Sequence, residues 1–478
     1  MSEYDVVVAG GGPVGAALAV ELGLAGLDVL VLERLTPAQR READGPMGMR
    51  AMNLPTVQHL DRRGLLPAVR KAQENLPALF GEDEDGEPAS IGHFSLLFVR
   101  SALLDRDDPD LRRATRAVNG GGFVYRADLV ELLADRAREL GVEFRHGVEV
   151  TGFDADDDGV TVHLGTSRVR AGWLVGCDGA HSLVRRLTGI DFPGVDPEQV
   201  GIQAIVELEG DLPGGGFSDA GFYMHAPLGE GLHLVGSNEY VTGPVERDVA
   251  VTAELVQESL RRVSGLPVTI TRLHHGSRAT DTTRQATSYR SGRVLLAGDA
   301  AHVHPPYGGQ GMNLGIGDAA NLGWKLAATI RGAAPAGLLD TYQEERHAIG
   351  KWVQDWAMAQ VALLRPDPRS KALRAVMRDL LDTRDGATYI VRNIAGLVRT
   401  ATVPDLELED GSRLAEHCRD GRAVLVGDAE LVGLATKYGI TFVEGPAPLL
   451  VRPDGVVAWS GEGDPEAALR RWVAHPIE

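Results

Sequence analysis

Residues 4 to 33 read YDVVVAGGGPVGAALAVELGLAGLDVLVLE, and this stretch decides the fold. Tyr4 to Ala9 is a short apolar, β-branched run, as expected of a strand covered on both faces. Val14 to Leu24 then carries apolar and alanine residues at helical spacing, and Asp28 to Leu32 is a second buried strand, so the chain opens with a β-α-β unit. Between strand and helix stands Gly10-x-Gly12-x-x-Gly15, with Pro13 inside it, and Glu33 follows 21 residues after Gly12. The glycines allow a tight turn and let a pyrophosphate approach the helix N-terminus, where unpaired N–H groups and the helix dipole favour an anion. Glu33 is placed to accept hydrogen bonds from ribose hydroxyls, and Arg34 beside it joins the candidate cofactor-binding residues Gly10, Gly12, Pro13 and Gly15. The motif suits NAD or FAD and does not choose between them.

The remaining 448 of the 478 residues must fit around this unit, and length alone suggests about three structural units. Lys plus Arg number 48 against 67 Asp plus Glu, a net charge of −19, which argues against nucleic acid or an acidic membrane as partner. No apolar window reaches the ~18 residues of a spanning helix, and the N-terminus shows no export signal. Cys177 and Cys418 stand far apart with no C-x-x-C, so they read as two thiols in a reducing cytoplasm. GEDEDGEP at 81 to 88 reads as a solvated loop without the alternate carboxylate spacing of a calcium site.

Further along, a helix over 127 to 140 stops at Gly141, a hairpin turns at Asp157-Asp158-Gly159, and WLVGCDG is another buried strand. Residues 190 to 276 change to short alternating stretches, which predicts an inserted antiparallel sheet. The buried-strand pattern returns at GRVLLAGDAAH (292 to 302), before a Gly/Pro loop, a helix over 312 to 331 and helices over 339 to 365 and 369 to 383. The expected fold is therefore α/β. A discontinuous Rossmann-like domain (1–190 and 277–345) carries an inserted β-sheet domain (191–276), then a helical linker (346–401) and a small α/β domain (402–478).

The strand ending on Gly298-Asp299, followed by HPPYGGQGMNLGIGDAANLGWKL, makes the sequence resemble the class A flavoprotein aromatic hydroxylases, which share the para-hydroxybenzoate hydroxylase fold. Within them the resemblance is to the actinobacterial-type polyketide hydroxylases acting on angucycline- or anthracycline-like substrates. By that resemblance Asp299 holds a ribityl hydroxyl of a noncovalent FAD. The loop Pro306 to Asn313 then runs along the isoalloxazine, so Pro306, Gly308, Gly309, Gly311, Met312 and Asn313 are its candidate residues. The three glycines let backbone amides reach a flat ring, and a helix starting near Met312 points its positive end where reduced flavin accumulates charge. The family's D-G-x-x-S-x-V-R fingerprint matches Asp178 to Arg185 and places Asp178 near both FAD and the reductant, with His181 where Arg is common. The family's R-T-x-E stretch is replaced by Pro55-Thr56-Val57-Gln58, which leaves Arg50 and, better placed, Arg126 as candidates for cofactor contact.

Gly92-His93-Phe94 is similar to a segment of the polyketide hydroxylases, so His93 and Phe94 are candidate substrate residues; in the inserted sheet Phe222, Tyr223, His225 and His233 are placed either to line a polycyclic pocket or to pack the core, with Tyr223 and His225 taken as the substrate candidates. His302 and His304 read as braces of the Pro loop, with no metal assigned. The last domain resembles the thioredoxin-like extension of these enzymes without a C-x-x-C. The resemblance implies that NADPH or NADH reduces the flavin, that dioxygen adds to form a C4a-hydroperoxide, and that one oxygen passes to a phenolic ring. No side chain is assigned as nucleophile or general base. Partners are an aromatic small molecule and dioxygen, in a chain that could form a homodimer. Alternatives are Baeyer-Villiger oxygenation by the same flavin intermediate, an FAD-dependent dehydrogenase without oxygen activation, and a non-catalytic flavin-binding protein.

Overall fold

Tyr4–Ala9 becomes a central strand because both its faces are covered: Val6, Val7 and Val8 are fully buried, which is why the run shows no alternation. In the computed structural model it pairs in parallel with Val29–Glu33 on one side and Ser167–Gly176 on the other. Glu143–His146 extends the first side and Val294–Leu296 the second, also in parallel. A strand from the start of the chain and one near residue 295 are thus two places apart in one sheet. The structure describes residues 3–74, 76, 90–105, 107–113, 122–241, 245–246, 249–398 and 402–473. The acidic stretch 81–88 lies outside the described residues. Among them no helix is long and apolar enough to cross a membrane.

Helix Pro13–Leu24 has Pro at its first turn, where a missing N–H costs nothing, and packs on helix Gln310–Ile330. The latter begins two residues earlier than its sequence pattern predicted. Helices Thr341–Leu364 and Pro368–Leu381 appear where expected, and a further helix, Arg384–Ile394, follows. Ser90–Phe94 and Leu97–Arg100 form a hairpin that sequence reading did not resolve, packed on those helices.

The inserted sheet is antiparallel and five-stranded, in the order Gly215–Phe217, Gly221–Gly229, Leu232–Tyr240, Gln199–Glu209, Thr269–Thr280. One face is covered by helix Ala253–Ser264, which the sequence reading missed. Its Val256, Leu260 and Val263 meet Ile202, Ala204, Val206, Tyr223 and Val235.

The C-terminal unit is a four-stranded mixed sheet, Thr441–Glu444, Val424–Gly427, Leu449–Val451, Val457–Trp459, with helices Val432–Tyr438 and Pro465–Trp472. It docks through buried charge. Arg63 donates from Nε and Nη2 to the two carboxylate oxygens of Glu21 (2.6 and 2.7 Å), and from Nη1 and Nη2 to the carbonyls of Cys418 and Pro453 (2.9 and 2.8 Å). Burial pushes Glu21 up, but Arg63 and His59 more than offset it and hold the carboxyl at about 2, against an ordinary 4.5.

Arg63→Ala should cost about 3–5 kcal/mol in denaturant unfolding, because Glu21 would stay buried without its partner. A depressed carboxyl contributes fully above its unfolded pKa and less as pH falls through its folded value. The stability gap between wild type and Arg63→Ala should therefore narrow as pH drops from about 5 toward 2. A gap independent of pH would show that the Glu21–Arg63 ion pair does not contribute to stability.

Candidate functional site

Three sequence motifs converge at the carboxyl ends of the parallel strands, the usual place for a ligand in such sheets. Gly10 has φ +103°, and a Cβ there would lie 2.3 Å from the Cys177 carbonyl, so the glycine turn is pressed against the residue before Asp178. On its other side, Val14 fills the space that Gly298 and Gly315 leave free. A Cβ on either would come within 2.8 or 2.4 Å of Val14 Cγ2.

At the adenosine end, Gly12 caps the helix in extended conformation with no side-chain cap, leaving its first N–H groups open. Glu33 is buried and fixed: Oε2 accepts from Gly11 N–H (2.9 Å) and pairs with Arg40 Nη2 (2.6 Å), and Oε1 accepts from Leu35 N–H (2.8 Å). Oε1, with one partner, keeps a free lone pair for a further hydroxyl donor. Arg34 is exposed, and Arg40 is the cation that meets Glu33. Sequence reading missed Arg40, although Thr36 and Gln39 form the capping box of helix Pro37–Asp44 and so announce the helix that carries it.

Asp299 is exposed on its turn, and none of the described residues donates a hydrogen bond to its carboxylate. Facing it electrostatically are Arg126 and Arg50. Arg126 donates from Nε to Asp44 Oδ2 (3.0 Å), and this pairing raises its pKa; Asp44 is a second residue that sequence reading missed. Arg50 donates to the carbonyls of Met47 and Met49 (2.9 and 2.8 Å), and burial, then the Arg126 charge, lower its pKa.

Asp178 Oδ2 accepts from the Leu183 and Val184 N–H groups (2.7 and 3.1 Å), while Oδ1 is buried with no partner among the described residues. His181 is exposed. Arg185 ties this motif to the next, donating to the carbonyls of Ala300 (2.8 Å) and Ala180 (3.0 Å) with its guanidinium 3.7 Å above the Phe192 ring. A third missed residue, Asp318, holds the Gly298-Asp299 turn from behind. It accepts from Gly298 N–H (3.0 Å), His302 Nε2 (2.7 Å) and Arg346 Nε (2.7 Å). Burial pushes Asp318 up, and the charges of His302 and Arg346 bring it below its ordinary value.

In the loop Pro306 to Asn313, Pro306 is exposed, Gly308 and Gly309 are left-handed (φ +80° and +64°), and Gly311 and Met312 are half-buried in the first turn of helix Gln310–Ile330. Asn313 fastens the loop: Nδ2 donates to the carbonyls of Ala51 and Gly309 (both 2.9 Å), and Oδ1 accepts from Asn53 N–H (2.9 Å). His304 contacts the Pro305 carbonyl through Nδ1 (2.8 Å) and braces the same loop. The Tyr307 hydroxyl lies 3.0 Å from both Gln199 Oε1 and Asn238 Oδ1, so the loop reaches the inserted sheet.

That contact identifies which face of the inserted sheet looks toward the loop. Asn238 is opposite Gly201 and Phe222 in register, so Phe222, Met224 and Gln203 share its face. Tyr223 and His225 alternate to the other face. Tyr223 packs under helix Ala253–Ser264, and His225 Nε2 pairs with His233 Nδ1 (2.9 Å), so neither belongs to the cleft as the sequence reading expected. Phe94 is also corrected: it is buried edge-on to Trp356, 4.7 Å between centroids, and belongs to the core. His93 stays beside the hairpin turn. Its Nδ1 accepts from Leu96 N–H (3.3 Å), and burial lowers its pKa, so the ring is neutral.

Residues 3–357 match the FAD binding domain family, and 400–476 match the C-terminal domain of aromatic-ring hydroxylases. A 12-dehydrotetracycline 5-monooxygenase/anhydrotetracycline 6-monooxygenase of Streptomyces rimosus is 39% identical over 530 residues, covering 99% of each chain. A dialkyldecalin synthase of Streptomyces rugosporus is 36% identical over 488 residues, covering 98% of each. The solved structure of an anhydrotetracycline hydroxylase from Streptomyces rimosus has a TM-score of 0.85 at 38% identity, over 99% of this chain and 100% of that one. With its FAD-binding fold, its inserted sheet and this kinship, the chain belongs to the FAD-dependent aromatic monooxygenases of the polyketide type.

Proposed function

We propose that this enzyme hydroxylates a polycyclic phenol of polyketide type, with NADPH or NADH as reductant. The observation that carries the reading is the pair of unmatched carboxylates around the glycine turn: exposed Asp299, and Asp178 with one buried oxygen lacking a partner. Buried polar atoms in folded proteins are nearly all paired, so a bare carboxylate oxygen fits a ligand rich in hydroxyl and N–H donors.

The residues present fit FAD. Gly10, Gly12, Pro13 and Gly15 would admit the pyrophosphate to the open helix terminus with Arg40 alongside; Glu33 would take the adenosine ribose, and Asp299 a ribityl hydroxyl. Arg126, still partly exposed beyond Asp44, would add positive charge at the cofactor. When bound, FAD supplies hydride acceptance and oxygen activation. The chain's own contribution is orientation. Pro306 to Gly311 would present backbone amides and the positive end of helix Gln310–Ile330 to the pyrimidine edge of the ring, where charge develops. Met224 and Gln203, on the sheet face that Tyr307 meets, would form the opposite wall, which excludes water from the reacting face. In this reading residues 1–190 and 277–345 are the FAD unit, 191–276 the substrate unit, 346–401 a helical linker and 402–478 a thioredoxin-like appendage of a cytoplasmic enzyme.

A second reading is favoured by one comparison: a chain 36% identical over nearly its whole length is named a synthase, so a flavin fold of this kind can serve ring formation without oxygen transfer. Mass spectrometry of products from a panel of polycyclic phenols, under labelled dioxygen with NADPH or NADH, separates the readings. One labelled oxygen on an aromatic carbon is expected; a lactone would move the assignment to Baeyer-Villiger chemistry, and an isomer without label would move it to the second reading.

Asp299→Ala removes an exposed carboxylate with no hydrogen-bond partner among the described residues, so folding should be unaffected while FAD affinity falls about tenfold or more, the worth of one or two charged hydrogen bonds. Flavin titration of the apoprotein checks this. Undiminished affinity in a folded variant would refute the role given to Asp299.

A further inference from the structure

The turn joining Ser90–Phe94 to Leu97–Arg100 has two residues, because Phe94 pairs with Leu97. Both have positive φ, 54° at Ser95 and 61° at Leu96, the signature of a type I′ turn, whose preferred residues are Asn-Gly. Leucine in this region suffers a clash of its Cβ with the following carbonyl, so neighbouring contacts must impose the conformation.

Those contacts come from Gln360 and His93. Ser95 N–H donates to Gln360 Oε1 (3.1 Å), the Ser95 hydroxyl donates to the Gln360 carbonyl (2.8 Å), and Leu96 N–H donates to His93 Nδ1 (3.3 Å). Ser95 and Gln360 are fully buried, whereas Leu96 is half-exposed. The same Gln360 extends Nε2 to the carbonyl of Tyr307 (3.4 Å), and a Cβ on Gly308 would stand 3.1 Å from that nitrogen. A single buried amide on helix Thr341–Leu364 therefore spans the strained turn and the ring-side loop. On its other flank the loop is held to the inserted sheet by the Tyr307 hydroxyl.

We propose that Gln360 is a positioning residue that sets the spacing between the ring-side loop and the Ser95–Leu96 turn. The turn is a wall of the slot that receives a planar polycyclic phenol, and residue 96 selects among ring outlines. A sequence that would fold more easily with asparagine or glycine at 96 carries leucine instead, and such local conflicts are expected where a side chain serves a ligand. The inference rests on reading Pro306 to Gly311 as the loop beside the flavin ring.

Gln360→Glu keeps an oxygen for Ser95 N–H and sets a second oxygen against the Tyr307 carbonyl, so it breaks the loop side of the bridge alone. With FAD bound, product formed per reductant consumed should fall about fivefold or more, with hydrogen peroxide making up the difference. Leu96→Asn suits the left-handed turn, so it should raise the melting temperature, while the ranking of kcat/KM among phenols of two, three and four fused rings should change. Coupling within twofold of wild type in flavin-loaded Gln360→Glu, or an unchanged ranking in Leu96→Asn, would overturn the proposal. Should Gln360→Glu not fold, the Leu96→Asn ranking decides alone. A wild-type protein that takes up no FAD would instead refute the function on which the inference rests.

Discussion

Val14 occupies a space that no side chain at positions 298 or 315 could share, and the active cleft depends on that exclusion. Its isopropyl group lies where a Cβ on Gly298 or Gly315 would be, so the helix after the first glycine motif and the turn bearing Asp299 come into direct contact. Any larger residue at either position would push the two stretches apart, and Asp299 would leave the neighbourhood of the glycine turn. Asp318 fixes the same junction from the opposite side. Its carboxylate holds the Gly298 amide, His302 and Arg346 at once, and removing it would leave a buried guanidinium without its counter-charge.

Much of the scaffold was legible because burial on both faces leaves a plain mark. Val6 to Ala9, Leu30 to Leu32 and Val294 to Leu296 are apolar without alternation, and each is part of a buried parallel strand. The inserted sheet was legible for the opposite reason, through alternation. Alternation, however, defines two faces without saying which is covered. Helix Ala253–Ser264 makes that choice, and it places Tyr223 and His225 away from the ring-side loop. The signal for that helix was present, with Val256, Leu260 and Val263 at helical spacing between a Thr252 cap and Gly265. Recognising it would have moved the substrate wall to Met224 and Gln203, on the face that carries Asn238.

In the site itself, the motifs were readable where main-chain geometry demands glycine, and unreadable where a side chain is recruited from far along the chain. Glu33 and Asp299 stand inside recognisable patterns. Arg40 and Asp44 do not, and Asp318 lies within the glycine-rich stretch without a role marked by it; their roles come from partners brought near only by folding: Asp44 binds Arg126, and Asp318 binds Arg346. Spacing carries no trace of such pairs. Arg185 is intermediate, since its motif was recognised but its hold on the Ala300 carbonyl, which joins two motifs, was not.

The distribution of satisfied and unsatisfied carboxylates separates scaffold from site. Glu21, Asp318 and Asp454 lie in the interior, each matched by arginine, and their pKa values fall although burial alone would raise them. The arginines of these pairs also reach across units, Arg63 to the Cys418 and Pro453 carbonyls and Arg452 to Glu345, and burying the acids without partners would cost several kcal/mol each. Asp178 departs from the rule. Among the described residues its Oδ1 is the one buried carboxylate oxygen without a hydrogen-bond partner, and it adjoins the turn where Gly10 presses on Cys177. A protein that pairs its other buried acids and leaves this oxygen bare, beside an open helix terminus and an exposed Asp299, has arranged its acceptors for donors from outside the chain. A dinucleotide with ribose and ribityl hydroxyls would bring donors of that kind.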